Sequence, residues 1–584
     1  MTKVFEYMKP YTPMILCAIA LLALEANFAL ILPGYMADIV NDGVLAGNVS
    51  LIWRTGARML LVTLMSASAA LTMSYLGARI STGVANDLRA ALFKKVLHFS
   101  SAELNKFSTS SLITRTTNDI TQVQSILMMG MRLLIYAPIL GVGGIIRAVD
   151  RSTSMAWVIV IATAAMVGLM ILLFIVVLPK FKQVQGLIDR LNLVSRENLS
   201  GILIVRAFNT QMFERKRFGK ANKDLADTNL FVDQSFAFMM PGIMLIMNVT
   251  TAAIVWVGAH HASAFRIDIG DIFAFLQYGM LIIFAFLMVS IMFVYLPRAV
   301  VSAERIKEVL ETESSLLYSE NTLPLPSDFK GLVEFRNVDF RYPDATDGDD
   351  PVLQDVSFSA PPGKVTAIIG ATGSGKTTIF KLLLRFYDTS GGGVYLNGVN
   401  IRDLHKEELH DKIGYVPQKA LLFTGDIRSN LLYADKSASE EAIKHAADIA
   451  QATAIIEEKP DGYDSNVAQG GTNLSGGQRQ RLSIARALVK NAPINLFDDS
   501  FSALDAKTDA ALRASLKKNT KDQTTIVIAQ KISSIMDADK IIVLEQGKIV
   551  GQGTHLELMN SSEIYREIAS SQLSEAQLGG EVSS

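Results

Sequence analysis

The sequence has a single cysteine, Cys17, in 584 residues. A disulfide framework, an iron–sulfur cluster and a cysteine zinc site are therefore excluded within one chain. Charge is scarce too: Asp, Glu, Lys and Arg make up 19% of residues, and 55 basic against 56 acidic groups leave a net charge of −1. That balance gives no footprint for a nucleic-acid partner. Disorder as the main state is excluded as well, because disordered chains are poor in apolar residues, and here they make up 50%. A mean hydropathy of +0.30 is high for a wholly soluble chain and low for one lying wholly in a membrane. The chain reads as a mixture of the two, with room for several domains at ~150 residues each.

The apolar residues are concentrated in the first half. Six long runs stand out, at residues 14–32, 57–75, 126–146, 156–178, 236–257 and 273–296. Each is close to the ~20 residues a helix needs to cross ~30 Å of hydrocarbon. Six such runs are too many for buried core helices, so they read as six spans. The first is too long for a cleaved signal peptide, and no small-residue cleavage site followed by a soluble domain is evident. Arg79, Arg89, Lys94, Lys95, Lys106 and Arg115 lie between spans two and three, and ten basic residues lie from Lys180 to Lys223. The alternate loops carry few, so the positive-inside rule puts both termini and the two long loops in the cytoplasm. Residues 81–99 and 181–198 alternate apolar and charged residues at helical spacing, so these loops read as extensions of the membrane helices.

Composition shifts after Pro297. Residues 299–313 read as a charged helix, and 321–330, with Pro324 and Pro326, as a linker. From Gly331 short β-rich runs alternate with helical ones, as in an α/β domain with a largely parallel sheet. Within it, the apolar run 365–369 leads into Gly370-Ala371-Thr372-Gly373-Ser374-Gly375-Lys376-Thr377, followed by Thr378 and a helix. This is a phosphate-binding loop in strand–loop–helix context. Its glycines let backbone N–H groups close on phosphate oxygens, and the helix N-terminus adds partial positive charge. Lys376 is expected to reach the β- and γ-phosphates and Thr377 to ligate Mg²⁺. A second apolar strand ends at Asp498, which fits the acid that orients Mg²⁺, through water.

Between these lies Leu474-Ser475-Gly476-Gly477-Gln478, opening a helix at Arg479. With it the chain resembles an ABC transporter half-molecule of the exporter type, membrane part first, ATPase part second. The resemblance covers nearly the whole chain. Tyr342 in Phe340-Arg341-Tyr342-Pro343 sits where the family's aromatic stacks on adenine. Gln418 matches the glutamine that senses Mg²⁺, and Ser502-Ala503-Leu504-Asp505 the loop that crosses the dimer interface. Arg115-Thr116-Thr117-Asn118-Asp119 and Val205-Arg206-Ala207-Phe208 resemble segments flanking the coupling helices. The resemblance implies an all-α six-helix transmembrane domain with long cytoplasmic extensions and two coupling loops (residues 1–312). A linker (313–330), an α/β P-loop ATPase domain with a helical subdomain (331–571) and a loose tail (572–584) follow. It also implies ATP and Mg²⁺ as cofactors. Two ATP molecules would lie between two such domains, each on one phosphate loop and under the other domain's LSGGQ segment, with Ser475 at a γ-phosphate.

Two positions depart from the family's pattern. The general base after the Mg²⁺-orienting Asp is normally Glu, and here it is Asp499; the position normally held by His after the strand 524–529 is Gln530. Asp is a methylene shorter, pulling its carboxylate back by roughly 1–1.5 Å, and misplacement of about 1 Å can cost ~10²-fold in rate. A glutamine amide donates a hydrogen bond but cannot carry the charge of an imidazole. Both losses fall in the site built on this chain's own phosphate loop, while its LSGGQ is whole. The expected assembly is a heterodimer with a half-transporter that keeps its Glu and His; the other reading is a slow homodimer in which Asp499 works. Gln469 also stands where many exporters carry an acid.

Few polar residues lie in the spans. Glu25 and Asn27 are the most notable, and an ionisable residue in a span is a functional candidate. Glu25 either faces a substrate cavity and attracts cations, or lies in an outer vestibule or pairs with another helix. Asn248, Gln277 and Tyr278 are weaker candidates, interhelical hydrogen bonds being their other use. Met128, Met129 and Met131 cluster in span three, and Met239, Met240, Met244 and Met247 in span five. Such residues suit either a promiscuous binding wall or ordinary packing. Trp157 and Trp256 read as interface anchors. The expected function is ATP-driven export of amphipathic compounds such as drugs, lipids or peptides, from a bacterial inner membrane. The first span begins by about residue 14, which weighs against an N-terminal leader-cleaving peptidase. Import by the same fold and a mainly regulatory ATP-binding subunit are the alternatives.

Overall fold

The computed structural model describes residues 2–263, 267–316, 322–345 and 350–573. Parts of the expected linker (317–321) and tail (574–584) lie outside the described residues. The chain divides into two compact units: Met1–Leu97 with Ser110–Thr312, and His98–Thr109 with Glu313–Ser584.

The first unit is helical. Among the described residues, six helical segments are long and apolar enough to cross a membrane: Lys3–Leu45, Val49–Leu97, Thr109–Arg151, Thr153–Ser200, Gln211–Ser263 and Ile269–Glu311. The shortest has 43 residues, which at ~1.5 Å per residue is about 65 Å, twice the hydrocarbon thickness. The apolar runs are therefore only part of each helix. The charged stretches 81–99 and 181–198 continue spans two and four as helix, to Leu97 and Ser200, and 299–311 continues span six. Pro33, Pro179 and Pro297 sit inside helices, a placement membrane helices tolerate. Leu60, Leu61, Leu64 and Leu71 are exposed along span two, as expected where lipid is the solvent. Inside, small residues allow close approach: a Cβ on Gly144 of span three would lie 2.8 Å from Ile282 of span six. Leu30, Ala137, Leu140 and Ala285 pack there. Trp53, Trp157 and Trp256 are all exposed, close to the ends Val49, Thr153 and Ser263 of their helices, and together form a belt at one rim.

The second unit carries two larger sheets. An antiparallel one runs Leu353–Ala360, Val333–Phe340, Gly391–Leu396, Val399–Asn400. The other has six strands in the order Lys548–Gly553, Lys540–Glu545, Val365–Gly370, Thr524–Ile528, Ile494–Asp498, Ile413–Val416. All neighbours in it are parallel except the first pair. Both faces of this sheet are covered, as parallel sheets require. Ala367, Ile369, Phe497 and Val527 face one core and Ile368, Leu496, Ile526 and Ile528 the other, following the two-residue period of a strand. Helices Glu440–Ile449 and Gly476–Val489 pack with the first core. The segment His98–Thr109, which contains the helix Ser101–Phe107, belongs to this unit. Asn105 Nδ2 donates to Tyr387 Oη (3.1 Å), and Glu103 accepts from the backbone N–H of Ser100 (2.8 Å) and Ser315 (3.1 Å).

Candidate functional site

Strand register assembles the site. Ile528 lies opposite both Ile368 and Asp498, and Phe497 opposite Val416. Four strands thus end side by side, and the segments leaving them carry the phosphate loop, Asp498 with Asp499, Gln530, and Gln418. Ligands of open α/β sheets bind outside such carboxyl ends.

The phosphate loop opens the helix Lys376–Leu383. Gly373 and Gly375 hold φ of +84° and +98°, and a Cβ on Gly375 would lie 2.7 Å from Leu353 and 2.9 Å from the Val352 carbonyl. Gly375→Ala is expected to lower the unfolding free energy by about 1–3 kcal/mol, the cost of a strained backbone residue, measurable by denaturant melts of the full-length chain. Around Gly373 the space is open, as an incoming phosphate needs. Ala371 O accepts from Ser374 N (3.2 Å), and Thr372 lies exposed at the tip. Lys376 Nζ donates to the carbonyls of Gly370 and Ala371, both at 2.7 Å. Burial lowers its pKa, opposed by the charges of Asp499 and Asp498.

Thr377 Oγ1 donates to Asp498 Oδ1 (3.2 Å). Burial raises the Asp498 carboxyl to about 6; the Thr377 bond opposes the shift and the neighbouring Asp499 adds to it. The Thr377 hydroxyl and the Asp498 carboxylate are hard oxygens beside the loop and fit Mg²⁺, the first as a direct ligand and the second through a bound water; the ion when bound would neutralise charge on the β- and γ-phosphates. A protonated Asp498 is a poor acceptor for a magnesium-bound water. The magnesium-dependent part of ATP affinity is therefore expected to weaken as pH falls through about 6, measured by nucleotide titration with and without Mg²⁺ between pH 5 and 8.

Asp499 is buried and left-handed, with φ +46°. Its Oδ2 accepts from Gln530 Nε2 (2.8 Å) and Gln418 Nε2 (3.3 Å). The two positions that depart from the expected pattern therefore bond to each other. Gln530 is fixed in turn: its carbonyl accepts from Gln572 Nε2 (2.9 Å), while Gln572 Oε1 accepts from Ile532 N (2.8 Å). Nothing in the sequence pointed to Gln572, at the end of helix Glu563–Gln572.

Tyr342 lies over the helix that follows the loop. Its hydroxyl shares a hydrogen bond with Thr378 Oγ1 (3.0 Å) and accepts from Lys381 Nζ (3.2 Å), and its ring meets Tyr387 edge-on at 5.2 Å. Leu474 is buried, whereas Ser475 and Gly476 are exposed at the start of helix Gly476–Val489. Ser475 Oγ accepts from Gln478 N (3.2 Å) and Gln478 Oε1 from Ser475 N (2.9 Å), a reciprocal cap. A Cβ on Gly477 would lie 3.5 Å from Ala503 O, so this helix start and the loop 502–505 adjoin. Asp505, exposed, caps Ala506–Asn519 by accepting from Thr508 N (3.0 Å). Among the described residues, no hydrogen bond joins residues 474–478 to the phosphate loop of the same chain.

Among the described residues, the contacts of the membrane candidates are with other residues, not with one another. Glu25 is buried and pairs with Arg132 at 3.8 Å, so it is no unopposed attractor of cations. Asn27 is exposed, and its Nδ2 donates within its own helix, to Ala23 O at 3.5 Å. Asn248 is exposed, Gln277 is half-buried, and Tyr278 is buried with its hydroxyl on Leu30 O (3.2 Å), an interhelical bond. Arg132 escaped the sequence reading because it sits within the apolar run 126–146. The rule that singled out Glu25 applies equally to it.

The ABC transporter transmembrane region family matches residues 14–313, and the ABC transporter family matches residues 353–502. The chain belongs to the ABC transporters. A relative described as an uncharacterized ABC transporter ATP-binding protein of Mycobacterium tuberculosis is 40% identical, with 98% of each chain covered. The ATP-dependent lipid A-core flippase of Pseudomonas aeruginosa is 32% identical over 97% of this chain and 95% of its own. A bacterial Atm1-family ABC exporter solved with ATP bound superposes with a TM-score of 0.78 at 26% identity, covering 96% of this chain and 99% of its own. This ABC transporter is thus an exporter-type half-transporter and a multi-pass integral membrane protein, with ATP hydrolysis by its second unit coupled to transport. One half implies a dimer.

Proposed function

We propose that the chain is one half of a heterodimeric exporter of amphipathic compounds, whose own ATP site binds nucleotide and turns it over slowly. Its intact residues 474–478 complete the site on the partner's phosphate loop. The observation that carries this reading is the bond from Gln530 to Asp499. Both substitutions lie in one site and bond to each other: the Gln530 and Gln418 amides hold Asp499 by Oδ2, so the shorter carboxylate is tied back from where a longer one would meet an attacking water. The phosphate loop has kept its glycines and Lys376, so binding and chemistry are separated in this site. The similarity to a lipid A-core flippase supports an amphipathic cargo.

The test is the ATPase activity of the purified chain alone and co-expressed with the product of its neighbouring gene. Activity only in the pair, abolished when the partner's catalytic carboxylate is removed, is expected. Robust activity of the chain alone, lost in Asp499→Asn, would establish a homodimer with Asp499 as a working base.

A further inference from the structure

Arg132, Glu25 and Ser74 come from three different spans. Arg132 Nη2 lies 3.8 Å from Glu25 Oε1 and donates to Ser74 Oγ at 3.4 Å. The two charges are unequally placed: the Glu25 side chain is 10% exposed and that of Arg132 39%. Glu25 Oε2 is buried and has no hydrogen-bond partner among the described residues. Among the described residues, the long contact and the single weak bond leave most of the five guanidinium donors uncommitted. Span three is also locally unwound, since Arg132–Tyr136 forms a π-helical turn, a distortion common at functional sites.

Depth and neighbours narrow the choice of ligand. From the exposed Trp53 to Ser74 the second span rises about 32 Å, close to the ~30 Å of hydrocarbon. Arg132 therefore sits at the rim opposite the tryptophan belt. Met128 and Met129, 50% and 47% exposed, precede it by four and three residues and so share its helix face. A partly exposed cation beside two flexible thioethers matches an anionic head on an apolar body. An arginine that merely anchors the membrane surface would extend to water; this one is held towards a buried carboxylate.

We propose that Arg132, lying beside Glu25, receives the phosphate or carboxylate head of an amphiphile at the inner rim of the membrane, with Met128 and Met129 against its apolar body. This rests on the amphipathic-cargo reading above.

The test uses the full-length chain, with its co-purified partner, in phosphatidylcholine nanodiscs. Binding of three matched amphiphiles is measured below their micellar concentrations: dodecyl phosphate, dodecyltrimethylammonium and dodecyl maltoside. Dodecyl phosphate is expected to bind at least about tenfold more tightly than the other two, the scale of one charge-assisted hydrogen bond. Arg132→Gln is expected to erase that preference, Arg132→Lys to keep part of it, and Glu25→Gln to keep or sharpen it by removing the competing acceptor. A purely structural ion pair would lose as much through Glu25→Gln as through Arg132→Gln, and that result overturns the proposal. So does a preference for the cationic head, or head selectivity that survives Arg132→Gln. Equal binding of all three heads overturns the proposal alone; no binding of any overturns the amphipathic-cargo reading with it.

Discussion

The double substitution Asp499→Glu with Gln530→His is expected to raise hydrolysis at this chain's own site by about 10²-fold, the rate cost of misplacing a reacting group by about 1 Å. Asp499 Oδ2 accepts two amide protons, from Gln530 at 2.8 Å and Gln418 at 3.3 Å. Asp499→Glu extends the carboxylate by one methylene but leaves Gln530 on it, so this change alone is expected to recover only part of the rate. The histidine removes the amide and restores a group that can carry charge near the γ-phosphate. The measurement is single-turnover hydrolysis in an assembly whose other site lacks its catalytic carboxylate. An unchanged rate would place the block elsewhere, in the loop geometry around Gln418 or in closure of the dimer. The wild-type nucleotide affinity should persist throughout, because Lys376 and Thr377 are untouched.

The two levels of this site were unequally legible. The phosphate loop, Asp498 and the LSGGQ segment are contiguous motifs whose chemistry depends on local backbone form, so spacing alone singles them out. The six spans are legible for a similar reason, since hydrocarbon demands about twenty apolar residues in a row. The bond between Asp499 and Gln530 joins residues 31 positions apart. It depends on strand Thr524–Ile528 lying parallel to Ile494–Asp498 with Ile528 opposite Asp498, which no local pattern encodes. Gln572 is harder still: an ordinary polar residue at a helix end, it matters only because that helix packs beside residues 530–532. The short helix in His98–Thr109 sits between two membrane segments in sequence, yet clusters with the ATPase unit through Asn105 and the buried Glu103. The pairing of Glu25 with Arg132 needed the approach of two spans, so the sequence could weigh Glu25 only as a lone charge.

Ser475→Ala in this chain is expected to lower ATP turnover of the proposed heterodimer by about 10²–10³-fold, the usual loss when a donor to developing charge is removed from a closed site. ATP binding at this chain's own phosphate loop should be unaffected. The prediction separates a local from an intermolecular role for one hydroxyl. Locally, Ser475 caps the helix Gly476–Val489 through a reciprocal bond with Gln478, and losing a cap costs about 1 kcal/mol of stability. A defect of that size alone would shift the melt by a few degrees and leave turnover nearly intact. Ser475→Thr keeps a capping hydroxyl and adds only a methyl group, so its melt should match the wild type while turnover falls through crowding at the γ-phosphate. The segment is exposed and points its helix N-terminus outward, the arrangement that favours an anion supplied from outside the chain. Full turnover with Ser475→Ala would mean that residues 474–478 serve only to start a helix, and that the chain is a regulatory ATP-binding subunit whose partner works without its signature segment.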